Sequence, residues 1–283
     1  MTRIVLLTPA ADGPYGTVWG PYFDRLAGYL AGEGLTATPL DWRRAAEARG
    51  DVVMPSLAWG YHLDPDAWFA ALDAMEQAGV RTLNALPMLR WNTAKTYLAD
   101  LMDADVPVVP TIFAERATPA VVDNARERLG AEELVVKPQI SGGSHETIRL
   151  APGAALTGGP TGPAMIQPFL PAVSGEGEIS LLHFGGVYSH AVGKVARADD
   201  FRVQPQFGST IGPATPSDEA MDVAAAVMGA LDRPQVYARV DLIRCLDGSL
   251  RVMELEAIEP DLFFEHAPEA GARFAAAVKR ALG

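Results

Sequence analysis

Scarce cysteine, no membrane-length apolar run and no surplus of positive charge set the first limits on this 283-residue chain. Cys245 is its one cysteine, which rules out an intrachain disulfide and leaves a cysteine-based zinc site unsupported. The opening apolar run, residues 4–7, is too short for a signal peptide or a membrane span, so a cytoplasmic metabolic enzyme is the expectation. Lys and Arg number 23 against 35 Asp and Glu, a net charge of −12. With no basic stripe, that balance argues against a nucleic-acid partner. A Gly-x-x-x-x-Gly-Lys loop and a dinucleotide fingerprint are both absent. So is any Ser/His/Asp or Cys/His arrangement suited to nucleophilic catalysis. What is present is 49% hydrophobic and 20% charged, the make-up of a globular protein with room for roughly two domains.

Patterning divides the chain. Short apolar runs at 4–7, 51–55 and 80–83 alternate with helical spacing at 22–30 and 66–78, which predicts a small parallel α/β domain. After Asn92 the character changes. Helices over 93–103 and 119–129 mix with extended runs at 106–111, 133–137, 147–150 and 165–170, predicting a mostly antiparallel α+β lobe. Strands at 178–184 and 187–192, a helix over 217–231, a hairpin and a last helix over 269–282 predict a second β-rich lobe. The expected division is 1–91, 92–168 and 169–283.

The hairpin, residues 239–256, carries the strongest chemical signal. Asp247-Gly248 is a two-residue turn signal, and a turn there sets Asp241 opposite Glu254 and Arg239 opposite Glu256. Residues opposite each other, and residues two apart, share a face. Asp241, Glu254 and Glu256 therefore converge beside Arg239. Like charges so placed need a cation, and an oxygen-only set favours magnesium or manganese.

A second signal is Val135-Val-Lys137-Pro followed by Ser141-Gly142-Gly143-Ser144. A lysine ending a buried strand beside a loop of aligned N–H groups suits a phosphate, although a surface turn describes the loop equally well. Lys95, read on the helix after Asn92, offers a second cation or is simply a solvated helix residue. Residues 165–170 read as a hinge strand beside an adenine, or as plain core. His183 and His190 read as satisfied sheet histidines. Tyr15, Trp19, Trp59, Tyr61 and His62 sit on loops of the first domain and line a substrate pocket or simply pack.

Lys95, Lys137 with its Gly/Ser loop, Ile166-Gln167-Pro168-Phe169, Arg239-Val-Asp241 and Glu254-Leu-Glu256 occur in the order seen in the ATP-grasp superfamily, which the chain resembles from Asn92 onward. The first domain resembles the usual pre-ATP-grasp domain. Gly177-Glu-Ile-Ser-Leu, Tyr188-Ser-His-Ala-Val and Asp200-Phe-Arg-Val-Gln204 resemble prokaryotic glutathione-synthetase-like members, and more closely the O-ureido-D-serine cyclo-ligases. The resemblance implies that Lys95, Lys137 and Ser141 to Ser144 contact ATP phosphates. It implies an adenine pocket lined by Gln167, Phe169 and Leu170, with Glu178 near the ribose. Asp241, Glu254 and Glu256 would hold magnesium, although many members carry Asn at the position of Glu256. Lys194, Arg202 and Arg239 would face the γ-phosphate or an acyl-phosphate. The expected activity is ATP-dependent ligation of a small-molecule carboxylate to an amine. Intramolecular ring closure, simple phosphotransfer and nucleotide binding without turnover are the alternatives. Homodimers are common in such families, though no apolar patch is legible here.

Overall fold

The computed structural model describes residues 2–197, 200–232 and 235–283. Its first sheet is parallel, with strand order β2-β1-β3-β4, built from β1 (Arg3–Thr8), β2 (Thr36–Asp41), β3 (Val52–Met54) and β4 (Arg81–Thr82). Alternate residues of a strand face opposite sides, and β1 uses both. Ile4 and Leu6 pack on Leu26 and Leu30 of α1 (Gly20–Gly32). Val5 and Leu7 pack on Trp68, Leu72 and Met75 of α2 (Pro65–Gln77). Asp64 starts α2 by accepting a hydrogen bond from the Ala67 N–H, and Pro65 needs no partner in the first turn.

The next segment holds two short helices, α3 (Leu86–Thr93) and α4 (Tyr97–Asp103). A single helix over 93–103 is corrected: Ala94 is extended, at φ −103° and ψ 129°, and Lys95 lies in the break. By packing, α4 sits on the large sheet described below, through Tyr97, Leu98 and Leu101. An antiparallel sheet of order β5-β8-β6-β7 follows, from β5 (Ile112–Ala114), β6 (Leu134–Pro138), β7 (Ile148–Leu150) and β8 (Ala164–Pro168). The helix α5 (Pro119–Leu129) covers it through Val122 and Ala125.

The third and largest sheet is antiparallel, ordered β11-β10-β9-β12-β13. Its strands are β9 (Glu178–Phe184), β10 (Val187–Val195), β11 (Thr210–Ala214), β12 (Tyr237–Arg244) and β13 (Leu250–Glu256). The helix α6 (Asp218–Gly229) covers one face together with α4. The last helix, α7 (Ala270–Leu282), joins this sheet to the first domain: Phe274 and Val278 pack with Ile4, Leu30, Phe184 and Tyr237. Two buried asparagines fix the junction. Asn84 donates to the carbonyls of Tyr237 and Ala257 and accepts from the Val236 N–H. Asn92 donates to the Leu255 carbonyl and accepts from the Ala257 N–H. The exit of β13 is thereby held against the first domain. Among the described residues no helix is long and apolar enough to cross a membrane.

Candidate active site

The hairpin sets Arg239 opposite Glu256 and Asp241 opposite Glu254, as expected, but by two compensating shifts. The turn is one residue wider than a two-residue loop: the Cys245 N–H donates to the Ser249 carbonyl and Gly248 is left-handed at φ 85°. That displaces the register by one. A β-bulge between Asp241 and Leu242, with Met253 as the extra residue, restores it. The acidic face survives because the bulge lies between turn and site.

Asp241, Glu254 and Glu256 bring carboxylate oxygens within 4.8 Å of one another. Arg239 clamps Asp241 through Nε at 3.0 Å and Nη2 at 2.9 Å, and Nη2 also meets Glu256. Ser180 donates its hydroxyl to Asp241. Lys194 lies 3.1 Å from Asp241 and 3.0 Å from Glu178, and is 5% exposed. Lys95 Nζ is 2.8 Å from Glu254 and donates to the Ser141 carbonyl, also at 2.8 Å. Lys137 meets the sulfur of Met253 at 3.3 Å and, among the described residues, has no carboxylate partner.

These pairings set the protonation states. Burial alone would raise Asp241, yet Arg239 and Lys194 outweigh it and hold its carboxyl well below the usual range. Burial likewise opposes charge on Lys194, and Asp241 and Glu178 reverse the sign. Burial lowers Lys137. Glu256 is pushed up to about 7, first by burial and then by Glu254 and Asp241 against the pull of Arg239.

The charged groups line one cleft of about 490 Å³ between the second and third sheets, closed at one end by the first domain. Its apolar wall comprises Val135, Met165, Phe169, Leu170, Ile243 and Met253. Gln167 is 1% exposed; its Nε2 donates to Thr111, and its Oε1 has no partner among the described residues. In the Gly/Ser loop the left-handed residues are Gly143 at φ 59° and Ser144 at φ 61°. Gly142 is needed for space instead, since a Cβ there would fall 2.9 Å from Nδ1 of His62. Ser144 donates to Oε1 of Gln204 at 2.8 Å, joining this loop to the segment after β10.

Every sequence-predicted site residue lines the cleft, but not all join the charged cluster. Arg202 is apart: it is clamped by Asp200 and stacks 3.6 Å over the Phe207 ring. Glu178 and Lys194, expected in separate roles, are paired. His190 is satisfied by Ser189 and the Leu262 carbonyl, whereas His183 keeps a buried Nδ1 without a partner among the described residues. Tyr15, Trp59, Tyr61 and His62 reach the cleft; Trp19 instead packs on Phe23. Sequence reading missed Glu259, Asp261 and Met253 on the wall. It also missed a usable signal: the chain has only four lysines, and three of them, Lys95, Lys137 and Lys194, line this cleft.

Two antiparallel sheets closing on paired lysines and a carboxylate cluster, behind a parallel α/β domain, constitute the ATP-grasp ligase fold. The ATP-grasp ligase PsnB, solved with a phosphomimetic variant of its minimal precursor, Mg and ADP, shares it at a TM-score of 0.65 and 19% identity, over 98% of each chain. The crystal structure of D-cycloserine synthetase DcsG matches at a TM-score of 0.84 and 27% identity, over 99% of this chain and all of that one. Residues 4–84 match the model of the DcsG N-terminal domain. The cycloserine biosynthesis protein DcsG of Streptomyces lavendulae is 33% identical over 277 residues, spanning 88% of this chain and 90% of that protein. The chain belongs to the DcsG family of ATP-grasp ligases. It is an ATP-dependent ligase of the C–N bond-forming kind.

Proposed function

We propose that ATP lies in this cleft with its adenine against Val135, Phe169 and Leu170 and its phosphates under the Ser141–Ser144 loop. A substrate carboxylate oxygen then attacks the γ-phosphorus and ADP leaves. A nitrogen lone pair attacks the resulting acyl-phosphate, and inorganic phosphate departs with the C–O bond. The observation that carries this reading is the convergence of Lys95, Lys137, Lys194 and Arg239 with three carboxylates opposite an apolar wall. Phosphoryl transfer and acyl substitution both need negative charge stabilised in a dry site more than they need a protein nucleophile. ATP is a cytoplasmic cosubstrate, which supports a cytoplasmic location for the reaction.

The donor set fits magnesium or manganese in part. Asp241 already accepts from Arg239, Lys194 and Ser180. Glu254 and Glu256 each keep a second oxygen free of such donors among the described residues, so these two would hold the ion first. Asp241 would complete the donor set if Lys194, now 3.1 Å away, released it. When bound, the ion neutralises phosphate oxygens. Lys137, with no acid partner among the described residues, is the cation ready to meet a phosphate. Lys95 ties the phosphate loop to Glu254, and the free Oε1 of Gln167 suits the adenine amino group. Contact of Glu178 with a ribose requires its pair with Lys194 to open. Arg202 reaches a γ-phosphate or acyl-phosphate only by leaving Asp200.

The DcsG relatives, named for cycloserine synthesis, favour an intramolecular form in which carboxylate and nitrogen belong to one molecule. ADP release across amino-acid-like carboxylates, followed by product mass, separates the two forms, because ring closure consumes one substrate and ligation two. Hydroxylamine should trap a hydroxamate in either form. A stable phosphorylated product without hydroxamate would mean phosphotransfer, and no ADP release across the panel would mean nucleotide binding without turnover.

A further inference from the structure

Phe169 is the aromatic member of the apolar wall, and it is held from outside the cleft. It directly follows β8, and its N–H extends the ladder by donating to the Glu133 carbonyl at 2.8 Å. The strand register decides what surrounds it. Arg149 on β7 stands opposite Val135 on β6, and Val135 stands opposite Gln167 on β8. Opposite residues share a face, and so do residues two apart. Glu133, Val135, Arg149, Gln167 and Phe169 therefore lie on the face that Val135 and Gln167 present to the cleft. Since β7 is an edge strand of its sheet, Arg149 stands at the outer end of this row. It does not itself line the cleft.

Two contacts fix Arg149. Its Nε donates to Oε1 of Glu133 at 2.8 Å, and its guanidinium carbon lies 3.6 Å from the centre of the Phe169 ring. A guanidinium on a ring face is attractive, and it also fills the space into which the ring would otherwise turn. The side chains of Arg149 and Glu133 are 41% and 28% exposed, so their ion pair by itself adds little to stability. Its effect falls on the ring, which is buried and confined to one orientation beside the cleft. A wall already in its binding orientation spares the ligand the cost of arranging it.

We infer that Arg149 is a positioning residue for the nucleotide base, acting through Phe169, with Glu133 holding it in place. This rests on the adenine placement proposed above. The test is calorimetric titration of ADP with magnesium into wild type, Arg149→Ala, Phe169→Leu and the double variant. R149A should weaken ADP by about three- to fivefold, the worth of a part-exposed cation–π contact. F169L should weaken it by about fivefold or more through the lost ring. In the F169L background, R149A should change ADP binding by less than about twofold, the limit of ordinary additivity; a merely structural role would weaken both backgrounds alike. Glu133→Ala, which frees Arg149, should also weaken ADP and do nothing further beside F169L, so the test stands if R149A does not fold. Unchanged ADP binding in R149A, or equal weakening with and without the Phe169 ring, would overturn the inference. Weakening by F169L alone would remove the role of Arg149 and leave the adenine placement standing. ADP binding untouched by F169L, or absent from wild type, would refute the placement itself.

Discussion

Acidification should weaken this protein through His62, and the amount follows from its burial. Burial, aided by His145 and Lys95, lowers the His62 pKa from 6.5 to about 4. A base whose folded pKa is depressed contributes stability above its unfolded pKa and loses it as pH falls toward the folded one. The unfolded chain takes up a proton near pH 6.5 that the folded chain refuses, so folding weakens by up to about 1.4 kcal/mol per pH unit. From pH 7 to pH 5 the loss from this residue is about 2 kcal/mol, and about 3 kcal/mol by pH 4. That is a large share of the 5–15 kcal/mol typical of a domain. His183, lowered to about 4 chiefly by burial, behaves alike, whereas Glu256, raised to about 7, acts with the opposite sign. His62→Asn isolates the residue, because both other contributions persist in the variant. Urea denaturation at pH 7, 6 and 5 should show the stability gap between wild type and H62N shifting by about 2 kcal/mol in favour of the variant. A gap constant to within about 0.5 kcal/mol over that range would refute the buried neutral state of His62.

Two further substitutions probe the cleft. Gly142→Ala would put a Cβ 2.9 Å from Nδ1 and 3.0 Å from Cε1 of His62, forcing the first-domain loop away from the phosphate loop. The KM for ATP should rise about tenfold, the effect of a small misplacement at a reacting site, and adding His62→Ala should recover most of it. Lys137→Met keeps the stem beside Met253 and removes a half-buried charge that has no acid partner among the described residues. Ligand-free thermal stability should hold or rise, while the KM for ATP rises about tenfold or more through loss of a charged phosphate contact. A large fall in melting temperature would instead give Lys137 a structural role.

The parts of this site that were legible are those where local chemistry and tertiary packing agree. The acid pattern of β12 and β13 is one, because alternation keeps the carboxylates on one face once the bulge at Met253 restores the register that the wider turn displaces. The wider turn and the bulge at Met253 were not legible, since a bulge has no fixed residue signature. The break at Ala94–Thr96 was hidden because Asn92 to Leu98 has ordinary helical composition. What ends α3 is a tertiary contact, the Lys95 N–H donating to the Gln139 carbonyl. Strands β2 and β11 were overlooked for a common reason. Both are edge strands, half-exposed, and carry Pro39 and Pro213, so they lack the apolar alternation that marks a strand. Glu259 stands in a loop with no periodicity.

The most direct test of the central claim, that Glu254 and its neighbours form one metal-dependent phosphoryl-transfer site, is ADP release by Glu254→Gln. The variant keeps the volume and a hydrogen-bond acceptor for Lys95 while removing the charge on a face where oxygens approach within 4.8 Å. ADP release should fall by about 100-fold or more, as when a principal stabiliser of transition-state charge is removed, with the melting temperature little changed. ADP release within a few-fold of wild type at the same magnesium concentration would mean that Glu254 is not part of such a site.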